Sequence, residues 1–200
     1  MKIRLYIEGG PPKGRGKKLG PRAAFTQLLE RAGFKGRMPK VRCFGGRKET
    51  FEAFCTALRD DEELPVLLVD SESQVSASAW AHLQNQDGWQ KPDEAEEDQA
   101  QLMVTCMETW IVADHAALKR EYGKALQESA LPPQTDLEKR SPQEIQQALE
   151  KATRDAGEKR MYRKGSRSFQ LVAALDPPTL KTNLPHFRRL IETLEEFLVQ

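Results

Sequence analysis

Carboxylates stand at three places in this chain where an acid is not expected. Glu8 closes the run Ile3 to Ile7, Asp70 and Glu72 cut off the apolar stretch LPVLLVDSES at Leu64 to Ser73, and Glu108 sits inside CMETWIV. Two acids spaced i, i+2 on an extended chain project to the same side, so Asp70 and Glu72 are expected to share one hard cation. The same Asp70 also fits a plain turn, which Asp frequently caps. Glu8 is followed at once by Gly9 and Gly10, giving an acid on backbone that lets a substrate come close. Glu108, among Trp110, Ile111 and Val112, is either a rim residue or a buried group with a partner.

The elements that must position these acids follow from periodicity. Val66 to Val69 is consecutively apolar and too short for an ordinary helix, which predicts a strand buried on both faces. Ile3 to Ile7 and Lys40 to Phe44 predict two further strands. Helices are expected over Pro21 to Ala32, stopped by Gly33, and over Lys48 to Leu58. Strand, helix, strand, helix, strand means parallel strands joined by right-handed crossovers, a doubly wound α/β sheet with helices on its faces. Open sheets of this kind bind ligands outside the carboxyl ends of their strands, which is where Glu8 and Asp70 fall. Residues 74 to 100 show no sustained period and predict a long excursion over the sheet edge, with Trp80 and Trp89 pinning it to the core rather than stacking bases. Leu102 to Cys106 is expected to be a fourth strand, and Asp114 to open a helix running to Tyr122. Beyond residue 129 the chain reads as helical, with a capped start at Ser141, Pro142 and Glu144 and helices over Ser168 to Leu175 and Pro185 to Val199. The expected organisation is a core over 1–128 and a helical C-terminal extension over 129–200.

Composition excludes several classes. Charged residues make up 30% and apolar residues 38%, with net charge +1, a soluble globular balance lacking any membrane-length apolar run. MKIRLYIEGG carries no apolar segment ending in a small-residue cleavage site, so a cytoplasmic protein is expected. Cys43, Cys55 and Cys106 show no CxxC spacing and predict small buried hydrophobes, and no two histidines stand at ligand spacing. The glycine-rich basic loop after Glu8 is not a P-loop: Pro11 stands where its first glycine belongs and Lys18 where Ser or Thr would hold magnesium.

The glutamate after the first strand and the Asp-Ser-Glu after the third form a pattern that resembles the Toprim fold of topoisomerases, primases and overcoming-lysogenization-defect nucleases. More narrowly, EGG, GRMPKV, CFGGR, LLVDSE, DGW, DQAQLMVTCMETW, KGSRSF and PHFRRLIETL resemble a Toprim-like bacterial family of unknown function, family 4276. The resemblance implies that Glu8 works as general acid or base and that Asp70 and Glu72 bind Mg2+ or Mn2+, with Glu72 where Toprim enzymes usually carry Asp. It also implies a nuclease, a nucleic-acid substrate (DNA or RNA) and an ATPase encoded nearby in bacterial defence loci; a second copy of the chain is a further candidate partner. The alternatives are an idle module that regulates or scaffolds such an ATPase, and a metal-dependent phosphotransfer or hydrolysis enzyme acting on small nucleotides. Phosphodiester cleavage needs cations to position the backbone, and Lys13, Arg15, Lys17, Lys18, Arg47, Arg163, Lys164 and Arg167 are the candidates. Glu108 is a candidate additional acid. No tyrosine lies near an acidic motif in the way a topoisomerase nucleophile would demand, which favours hydrolysis over strand passage.

Overall fold

In the computed structural model, residues 2–9 and 19–199 are described. Lys13, Arg15, Lys17 and Lys18 lie outside them. Four strands, β1 (Lys2–Glu8), β2 (Lys40–Phe44), β3 (Glu63–Asp70) and β4 (Ala100–Met103), pair in parallel in the order β2-β1-β3-β4. The chain moves from β1 to one side and then back across it to β3, so the order reverses between these two strands. Such a reversal opens a crevice at the carboxyl ends. Glu8 ends β1 and Asp70 ends β3, which places both acids at its mouth.

Helices cover both faces, as the expected doubly wound α/β architecture requires. On one face Ile3, Leu5, Ile7, Val66 and Leu68 pack with α1 (Pro21–Leu29), α4 (Met107–Ala113), α5 (His115–Tyr122) and the C-terminal helices α6 (Pro142–Ala152), α7 (Ser166–Ala174), α8 (Pro177–Asn183) and α9 (Pro185–Phe197). On the other, Tyr6, Leu67 and Val69 pack with α2 (Arg47–Ala57) and α3 (Ala79–Asp87). Trp110 of α4 joins the first layer, with its ring centroid 6.1 Å from Phe25 and 4.8 Å from Phe187 in edge-to-face contacts. No helix among the described residues is long and apolar enough to cross a membrane.

Pro65 lies inside the central strand, where a missing N–H would normally break the ladder. It is tolerated because pairing with β4 begins only at Leu67, and the Pro65 carbonyl accepts the Gln99 side chain at 2.8 Å.

Three expectations change. Residues 74–100 are not an irregular excursion: they contain α3, which Ser78 caps at its start and Gly88, at φ 73°, closes at its end. Its apolar face is short, Ala79, Trp80 and Leu83, and gave too little periodicity to read. The fourth strand begins at Ala100 rather than Leu102 and ends at Met103, while Cys106 caps α4. Gln101, a buried polar strand residue, hid the strand's start; it is satisfied by the Asp98 carbonyl at 2.8 Å and Thr193 at 3.3 Å. Helix α8 was not expected at all, although Asp176 caps it.

Candidate functional site

The site is assembled by strand ends and by helices that arrive much later in the chain. Asp70 is buried, and its Oδ1 accepts the Met107 N–H at 2.8 Å, so the first turn of α4 is tied to the tip of β3. Glu108, the next residue along, is wholly buried. Its Oε1 accepts the Tyr162 hydroxyl at 2.8 Å, and that hydroxyl lies 2.9 Å from Ser168 Oγ in α7. Lys164 Nζ stands 4.0 Å from Glu108 Oε2. Glu108 is therefore the buried group with a partner, and Tyr162, absent from any acidic motif in sequence, is beside an acid in space.

On the other side of Asp70, Arg47 starts α2 and is held by four groups. Its Nη1 donates to the Asp70 carbonyl, and lies 3.5 Å from Glu8 Oε2. Its Nε and Nη2 form a two-pronged pair with the Asp87 carboxylate at the end of α3, Nε at 3.1 Å. Its guanidinium carbon lies 5.3 Å from the centre of the Trp89 ring, which stacks on Phe51 at 4.4 Å. Trp80 is buried with its indole N–H donating to the Glu96 carbonyl at 3.1 Å, so both tryptophans pin their segment.

Glu72 is placed differently from the extended-chain expectation. The strand ends at Asp70, and Glu72 is exposed with φ 60°, the left-handed region that L residues avoid. Two bonds hold it there: its N–H donates to the Thr105 carbonyl at 2.9 Å, and His82 Nε2 donates to the preceding Ser71 carbonyl at 2.9 Å. The backbone turn removes the i, i+2 relation to Asp70, and Glu72 stands at the rim.

The electrostatics follow the geometry. Burial pushes the Asp70 carboxyl well above the usual range, Glu8 and then Glu108 push it further, and Lys164 opposes them. Burial also raises Glu8, against the pull of Arg47 and a hydrogen bond from the Asp70 backbone. Burial lowers Lys164, but Glu108 and Asp70 outweigh it and leave the ammonium more basic than usual. Glu108 acts on Asp70 more strongly than Glu72 does, which makes Glu8, Asp70 and Glu108 the inner acids. Cys106 is pushed up to about 12, chiefly by burial, and is an inert thiol.

Of the other expected cations, Arg163 is exposed. Arg167 turns to the Lys159 carbonyl at 2.9 Å and to Glu121 at 3.6 Å, away from the acids. Asp87, Trp89, Tyr162 and Ser168 were not read as site residues. Tyr162 is embedded in the basic run from Arg154 to Arg167, which draws attention only for its charge, and Asp87 closes a helix that had no clear period.

The donor set fits a hard cation by type, because Glu8, Asp70 and Glu108 offer only oxygen. It fits also by need: Glu8 Oε2 and Glu108 Oε2 are buried with no hydrogen-bond partner. Among the described residues no three His, Cys, Asp or Glu side chains are already gathered to hold a metal.

Fold and site together define a parallel α/β protein with an acidic cluster at the switch-point crevice. The chain belongs to the family described as Domain of unknown function (DUF4276), whose family model matches residues 20–195. Neither a curated protein nor a solved structure matches it.

Proposed function

We propose that this protein is a Toprim-like nuclease that hydrolyses nucleic-acid phosphodiesters with Mg2+ or Mn2+, in the company of an ATPase partner in bacterial anti-phage defence. The observation that carries the reading is the pair of buried, donorless carboxylate oxygens, Glu8 Oε2 and Glu108 Oε2, whose groups both act on Asp70. A buried anion without a donor is stabilised only by a nearby positive charge. Glu8, Asp70 and Glu108, with Glu72 at the rim, are the residues that would hold Mg2+ or Mn2+, which when bound supplies charge neutralisation at phosphate and a more acidic water.

The chain's own groups divide the remaining work. Lys164, its own side chain exposed beside the buried Glu108, offers an ammonium to a phosphate oxygen. Arg47 ties the ends of β1 and β3 together and fixes the approach of Glu8 to Asp70. Glu8, its carboxyl more basic than usual, is suited to take the proton of an attacking water or return one to the leaving oxygen. Tyr162 is no nucleophile: it is buried, and its hydroxyl is committed to Glu108.

One observation favours the idle-module alternative, the lack among the described residues of three acids gathered for a metal. Cleavage of labelled plasmid, linear and single-stranded substrates with Mg2+ or Mn2+, wild type beside Asp70→Ala, decides between them. The nuclease reading expects cleavage that falls about 100-fold or more in the variant. No cleavage by either protein, with the partner ATPase also present, leaves the idle module.

A further inference from the structure

Two of the cations near the crevice are already spent on acids. Arg47 serves Asp87 and Glu8, and Arg167 serves Glu121 and the Lys159 carbonyl. A different part of the chain is rich in cations that no neighbouring acid neutralises. From Pro21 to Lys48 there are eight lysines and arginines and one acid, Glu30, in a chain whose net charge is +1. Arg22, Lys35, Arg37, Lys40 and Arg42 are exposed, and none of the five forms an ion pair among the described residues.

The fold gathers these five along one edge. Strand β2 is an outer strand, hydrogen-bonded to β1 on one side only. Lys40 and Arg42, spaced i, i+2, project to the face of the sheet that α2 covers, because Arg42 is in register with Tyr6 of that layer. Arg22, at the start of α1, stands on the other face: burial raises the Cys43 thiol, Arg22 opposes it, and Cys43 packs in the α1 layer. Lys35 and Arg37 lie in the connection that enters β2. This edge ends at the candidate site, since Phe44 is in register with Glu8 and its carbonyl accepts the Gly9 N–H at 3.0 Å. At about 3.3 Å per residue, Lys40 stands about 13 Å back along the strand from Phe44, the span of about four phosphates of one nucleic-acid strand. The opposite edge has the opposite sign. Asp93, Glu94, Glu96 and Glu97, all exposed, precede β4, the outer strand on the far side. A polyanion is drawn to the first edge and repelled from the second.

We propose that the β2 edge, through Arg22, Lys35, Arg37, Lys40 and Arg42, is a backbone-binding surface for nucleic acid that leads the phosphate chain to the crevice at Glu8. Its contacts are with phosphates, so it holds and orients the nucleic acid without reading sequence. The proposal rests on the nucleic-acid reading given above for the identity of the polyanion, and it draws on no metal.

The test is binding of a short labelled DNA duplex, and of one of its strands alone, to the full chain in chelator, followed by fluorescence anisotropy across a salt titration. Wild type is expected to bind with an affinity that falls steeply with salt and changes little with DNA sequence. The triple variant Lys35→Gln, Lys40→Gln, Arg42→Gln is expected to flatten the slope of log affinity against log salt by about 3, about one unit for each cation removed. These three side chains are exposed and make no side-chain hydrogen bond among the described residues, so the variant retains the fold. Lys119→Gln, Lys124→Gln, Lys151→Gln, an equal loss of exposed charge in and beside α5 and α6, is expected to shift the slope by less than about one unit. An unchanged slope in the first triple variant, or an equal flattening in the second, overturns the β2 surface and leaves the nucleic-acid reading standing. No binding of either DNA by wild type removes the nucleic-acid reading and the inference with it.

Discussion

The buried Asp70 makes a sharp demand on the pH dependence of stability. Its carboxyl ionises well above the usual range in the folded chain, through burial first and then through Glu8 and Glu108, whereas in the unfolded chain it ionises near pH 3.9. Below that pH both states carry the proton and the stability is fully present. As pH rises, the unfolded state loses its proton while the folded state keeps it, so the folded state is progressively disfavoured until the folded-state pKa is passed. One such group contributes a slope of about 1.4 kcal/mol per pH unit within that window. Asp70→Asn removes the proton but keeps an oxygen able to accept the Met107 N–H, which in the wild type is 2.8 Å away. In the presence of a chelator, the stability of Asp70→Asn relative to wild type is therefore expected to rise by about 1.4 kcal/mol per pH unit from about pH 4.5, then level off. Urea denaturation followed by tryptophan fluorescence at pH 4.5, 5.5, 6.5 and 7.5 reads this, and taking the difference cancels the titrating groups that do not act on Asp70. Parallel curves, or a difference that shrinks with pH, would refute the assignment of Asp70 as a strained buried acid.

Arg47 and Asp87, with side chains 16% and 17% exposed, are expected to couple by about 1–3 kcal/mol in a double-mutant cycle of Arg47→Gln and Asp87→Asn. A coupling energy near zero by urea denaturation would show that the two-pronged pair contributes nothing. Tyr162→Phe removes the only protein hydrogen bond to Glu108 among the described residues and is expected to cost about 1–3 kcal/mol, checked by denaturation in chelator. If Glu108→Gln relieves most of that cost in the double variant, the penalty came from the uncompensated carboxylate and not from lost packing.

Much of the scaffold was legible because it rests on local rules. The continuous apolar run of Val66 to Val69 and the closing acid at Glu8 placed β1 and β3, and the three capping signals at Ser141, Pro142 and Glu144 reappear as a full capping box, with the Glu144 N–H 3.2 Å from Ser141 Oγ. Asp70, Glu8 and Glu108 were visible as acids in the wrong company. What stayed hidden depends on contacts far apart in sequence. Nothing near Tyr162 announces that its hydroxyl meets Glu108 across 54 positions, and nothing near Asp87 announces Arg47, 40 positions away. Glu72 failed for another reason. The period-two rule holds only while the chain stays extended, and a left-handed residue two positions past the strand's end cancels it. Helix α3 was missed because a single buried turn of Trp80 and Leu83 does not repeat often enough to establish a period.

The distance in sequence between Glu108 and its hydroxyl donor sets an order of events during synthesis. All four strands and all three inner acids leave the ribosome before Tyr162, which follows Glu108 by 54 residues. At about 5–20 residues per second that separation is a delay of about 3–11 s, long compared with the folding of a strand–helix unit. For those seconds the nascent chain carries a glutamate destined for burial with neither its tyrosine nor its lysine, so α4 has reason to stay undocked until the last third of the chain emerges. Completion of the acidic cluster is thereby tied to completion of the polypeptide, and a prematurely terminated product would expose the sheet without a finished crevice.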